Sequence, residues 1–125
     1  MKRDMNLIRK ILFSIEEQYI PGSNRILNFK VDFPCIPTVA EHCELLYQAG
    51  FIGKYEPHRI QNAIHEISVG NLTSQGYDYL ELIRNEDTWN KTKETVKENN
   101  LPETIESYGK VAASILGTFF RELNR

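Results

Sequence analysis

Apolar residues recur along this chain with two different periods, and the change of period marks out its elements. After Asp4, residues Ile8, Ile11, Leu12, Ile15 and Tyr19 return at helical spacing, while Arg9, Lys10, Glu16 and Glu17 take the other side. Asp4 is a good N-cap, and Pro21-Gly22-Ser23-Asn24 are turn formers, so a helix is expected over about 5–18. From Ile26 to Phe33 the pattern alternates, with Leu27, Phe29, Val31 and Phe33 on one face, which predicts a half-buried strand. Pro34 and Pro37 then exclude regular ladder pairing. Thr38-Val39-Ala40-Glu41 reads as a capping box opening a short helix over 39–49, with Val39, Cys43, Leu46 and Ala49 on its inner side and Gly50 just past its end. Phe51–Tyr55 and Ile64–Val69 read as the strands of a hairpin whose tip, 56–63, is a polar loop. Three further helices are expected. One is capped by Thr73 or Ser74 and turns Tyr77, Leu80 and Ile83 inward. Another is capped by Asp87 and carries Trp89 as an inter-helix core residue. The last has Pro102 in its first turn and a wide apolar stripe from Ile105 to Leu123.

The order helix, strand, helix, hairpin, three helices implies an α+β, mostly helical fold. A winged helix-turn-helix-like domain over 1–84 carries a C-terminal helical extension, 85–125, packed on it as one structural domain. The chain also resembles a protein family. The opening Met1-Lys2-Arg3-Asp4-Met5-Asn6-Leu7-Ile8-Arg9-Lys10-Ile11-Leu12, the stretch Val39–Leu46 through Gly50-Phe51-Ile52, Leu72-Thr73-Ser74-Gln75-Gly76-Tyr77-Asp78 and Thr88-Trp89-Asn90-Lys91-Thr92-Lys93 are similar to the domain-of-unknown-function family 2513 of bacterial and phage proteins. The resemblance covers roughly residues 1–98. It implies a winged-helix-like fold and a phage or mobile-element setting, and it brings no catalytic residues. The 56–63 loop departs from the shorter, more basic wing expected of that family.

Composition changes the functional picture in one respect. The 125 residues carry a formal net charge of −2, so a DNA-binding reading has to rest on local charge. Residues 1–30 hold six Lys/Arg against three acids, whereas 31–50 hold Asp32, Glu41 and Glu44 and no Lys or Arg. Cys35 and Cys43 are too few for a secreted disulfide framework, and together with His42 they are not spaced as a metal clip. The start lacks an apolar signal core and no run is long enough for a membrane span, so the cytoplasm is the expected compartment. Asn71-Leu72-Thr73 and Asn90-Lys91-Thr92 match the glycosylation pattern by chance on that reading. His65-Glu66 begins a zinc-protease motif, but residue 69 is Val and the segment is a strand. Glu94 and Glu98 sit among lysines as a solvated helical face. No enzyme activity, cofactor, metal or small-molecule ligand is expected.

Two functional readings stay open. The first is a DNA-binding transcriptional regulator that contacts double-stranded DNA through Lys2, Arg3, Arg9, Lys10, Thr38, His42, Gln48, His58 and Arg59, with His58 and Arg59 at the wing tip. Its weak point is a recognition helix that exposes Glu41 and Glu44 and no cation. The second is a protein-association or homodimerisation module whose last helix presents Tyr108, Ile115, Phe119 and Phe120.

Overall fold

The computed structural model describes residues 1–124 and shows an α+β chain of five helices and one two-stranded antiparallel sheet. In order these are α1 (Met5–Gln18), α2 (Ile36–Gln48), β1 (Tyr55–Ile60), β2 (Ala63–Val69), α3 (Ser74–Ile83), α4 (Glu86–Glu98) and α5 (Ile105–Leu123). The chain divides into two compact units, Met1–Tyr77 and Asp78 onward, with the division inside α3.

In the first unit α1 packs on α2, and α2 packs on both strands. The α1 boundaries are those expected. The Asp4 carboxylate accepts from the Leu7 N–H at 3.1 Å, and Met5, Leu7, Ile8, Ile11, Leu12 and Ile15 are buried. Helix α2 differs from expectation at its start. It opens at Ile36 behind Cys35, with Pro37 in the first turn, where a missing N–H costs nothing. Thr38 is therefore already helical, and its hydroxyl donates to Cys35 Sγ at 3.2 Å instead of closing a capping box. The end of α2 matches expectation. Gly50 takes φ +79°, its N–H reaches the Tyr47 carbonyl at 3.0 Å, and the Phe51 N–H reaches Leu46 at 2.9 Å. This double closure terminates the helix on a left-handed residue.

The expected strand at 26–33 is not a strand. Asn28 sits at φ +51°, which breaks the extended run. Leu27 is exposed, while Ile26 and Phe29 are buried, three positions apart instead of two. Both dock on β2. Ile26 exchanges hydrogen bonds with Val69 at 2.7 and 3.1 Å, and the Phe29 N–H donates to the Ile67 carbonyl at 2.8 Å. The hairpin also differs from expectation. Its strands run through the predicted 56–63 loop and meet at a two-residue turn, Gln61-Asn62, with φ of 50° and 71°. Positive φ at both central positions suits the right-handed twist of the flanking strands. A bulge between His58 and Arg59 leaves His65 without an opposite partner. Val69 and Ile67 direct backbone groups at the 26–29 segment, so their β1 partners Tyr55 and Pro57 face outward. Pro57 thus offers no N–H to the outer edge of the ribbon.

The beginning of α3 locks onto the end of α2. Ile52 bridges Leu72, the Thr73 N–H donates to the Phe51 carbonyl at 3.0 Å, and the Thr73 hydroxyl donates to the Gly50 carbonyl at 2.6 Å. The same hydroxyl accepts from the Gly76 N–H, so Thr73 is the cap, as expected. Tyr77, expected to face inward, is exposed.

In the second unit, α4 and α5 form a helical hairpin. Asn85, not Asp87, caps α4 by accepting from the Thr88 N–H at 3.0 Å. Thr104 caps α5, which leaves Pro102 outside the helix. Trp89 is a buried core residue, with its ring centroid 5.3 Å from that of Tyr108. Asn100, at φ +52°, ends α4 as Gly50 ends α2, with the Leu101 N–H on the Val96 carbonyl at 2.9 Å.

Candidate association surface

Of the expected DNA-contacting residues, Lys10, His58 and Arg59 have polar contacts within the chain. His42 is a correction: it is fully buried, whereas the helical pattern turns it outward. Its Nε2 accepts from the Asp4 backbone N–H at 2.9 Å and its Nδ1 donates to the Thr38 carbonyl at 2.8 Å, so the imidazole ties the start of α1 to α2. Lys10 donates to the Asp32 carbonyl at 3.0 Å, and the Arg9 guanidinium lies 4.8 Å from the Phe13 ring centroid. Arg3 is half-buried, and Lys2 and Gln48 are exposed. On the ribbon, His58 Nε2 is 3.1 Å from Ser68 Oγ, and Arg59 folds back onto the Asn62 carbonyl at 3.0 Å. Both are exposed, but the tip itself is Gln61-Asn62. Arg25, a basic residue not singled out in the sequence, pairs with Glu56 at 2.6 Å.

The field where α2 meets β1 is negative. Burial first, and then the charges of Glu44, Cys43 and Glu41, together push the Tyr55 hydroxyl up to about 12 against a smaller opposing pull from Arg59. We expect a tyrosinate absorbance titration to show a component near 12, above the ordinary tyrosine value of about 10. Tyr55→Phe should delete that component, and Glu44→Gln should move it down. A raised folded value makes the neutral phenol a stabilising contribution. It is complete below pH ~10 and lost as pH climbs from there through about 12. A Tyr55 component at the ordinary position would remove the acidic-field assignment.

The two thiols have opposite environments. Cys35 is exposed, and the Thr38 hydroxyl holds its thiol below the usual range; burial pushes Cys43 up to about 12. Among the described residues no three His, Cys, Asp or Glu side chains gather to hold a metal, and no helix is long and apolar enough to cross a membrane. An apolar pocket of about 200 Å³ lies between the 28–33 segment, the start of α2 and β2, lined by Phe29, Phe33, Ile36 and Ile67 among others.

The apolar stripe of α5 is the other candidate, and the structure splits it in two. Tyr108 is a correction to the expected interface. It is buried against Trp89, and its hydroxyl donates to Glu103. Ala112, one turn on, is buried too, but no described residue from Ala113 onward is. Ile115 is half-buried. Phe119 is 54%, Phe120 59% and Leu123 64% exposed. Positions 108, 112, 115, 119 and 123 share one helical face, so the stripe that is covered in its first half continues uncovered in its second. Leu123 belongs with the candidates and is visible in the sequence by that spacing. Beside it runs an open groove of about 580 Å³ between the start of α4 and the end of α5, lined by Thr88, Lys91, Ile115, Leu116, Phe119 and Glu122 among others.

Comparison with known proteins places the chain in a family. A family model described as "Hypothetical protein (DUF2513)" matches residues 2–102. The chain belongs to this family. The matched span contains the whole α2–ribbon–α3 lock and ends before α5 begins, so the exposed stripe of this DUF2513 member lies outside the matched residues. An "Uncharacterized protein" of Haemophilus influenzae is 32% identical over 118 residues, covering 93% of this chain and 96% of that protein. No solved structure matches the DUF2513 chain.

Proposed function

We propose that this DUF2513 protein is a non-catalytic protein-association module, built on a winged-helix-like scaffold and docking through the second half of α5. The observation that supports this is the continuation of one apolar face from buried Tyr108 and Ala112 to exposed Phe119 and Leu123. Adjacent exposed aromatics on a rigid helix are a familiar feature of association surfaces, because burying them releases water at little entropic cost. A DNA-binding role has less in its favour. Phosphate contact needs free cations. Lys10, Arg25 and Arg59 are engaged within the chain, and the helix that would enter a groove presents Glu41 and Glu44.

A photo-cross-linking amino acid at position 120, introduced in cells, should give discrete protein adducts, and Phe119→Glu should remove them without altering the circular dichroism spectrum. Absence of adducts would overturn the proposal. So would retardation of mixed duplex DNA at low salt that survives Phe119→Glu but is lost in Lys10→Ala/Arg59→Ala.

A further inference from the structure

We draw no further inference here: the strongest candidate, the apolar pocket of about 200 Å³ between the 28–33 segment, the start of α2 and β2, is lined by Lys30, His65 and Glu66 as well as by its apolar side chains, a mixture of both signs of charge that selects no ligand class, and nothing in the structure shows what covers it.

Discussion

Replacing Gly76 by alanine is expected to destabilise the Met1–Tyr77 unit by about 3–5 kcal/mol. A Cβ at this position would lie 2.1 Å from the Phe51 carbonyl oxygen and 3.0 Å from its carbonyl carbon. Both are backbone atoms, fixed by the Thr73 N–H and by the double closure at the end of α2, so no side-chain rotation relieves the overlap. The first turn of α3 would have to lift away, and the Thr73 hydroxyl would lose its bonds to Gly50 and Gly76. A loss of that size approaches the whole stability of an ordinary small domain. Gly53→Ala is the control, since its Cβ would meet only the Asn71 carbonyl oxygen at an ordinary 3.7 Å and should cost less than about 1 kcal/mol. Urea melts of the two variants measure the difference. Equal melts would mean that α3 does not need this close approach.

The second large effect is expected at His42. His42→Ala should cost about 3–4 kcal/mol, since it opens a cavity in a fully buried site and strips partners from the Asp4 N–H and the Thr38 carbonyl. His42→Phe fills most of the space and still loses both hydrogen bonds, so it should fall between, at about 2 kcal/mol. Denaturant midpoints at constant slope are the measurement. If the Phe variant matched the wild type, the ring would act only by its volume. If both variants melted like the wild type, the tie between α1 and α2 would carry no weight.

What could be read from the sequence, and what could not, follows from the range of the interactions involved. Helix α1 is legible because its cap and its buried face are set by residues within one turn of each other. Gly50 and Thr73 are legible for the same reason. His42 is not, because the atom that pulls it inward is a backbone N–H 38 residues earlier in the chain. The hairpin tip has the pattern of a loop because Gln61-Asn62 lacks the glycine that usually marks so tight a turn. The 26–33 segment has strand periodicity, but Asn28 turns the chain so that docking on β2 follows contact points three residues apart. For the candidate surface, Phe119 and Phe120 were legible from spacing. Tyr108 was not separable from them, since the stripe does not show where coverage by α4 stops.

Pro57 at the outer border of the ribbon has a consequence for handling and for life in a crowded cell. A two-stranded sheet ordinarily leaves a template on which stray chains stack into fibrils, and here that template lacks a donor midway along it. Concentrated solutions of the protein should therefore stay clear and free of amyloid-dye signal, and Pro57→Val should be the change that seeds turbidity.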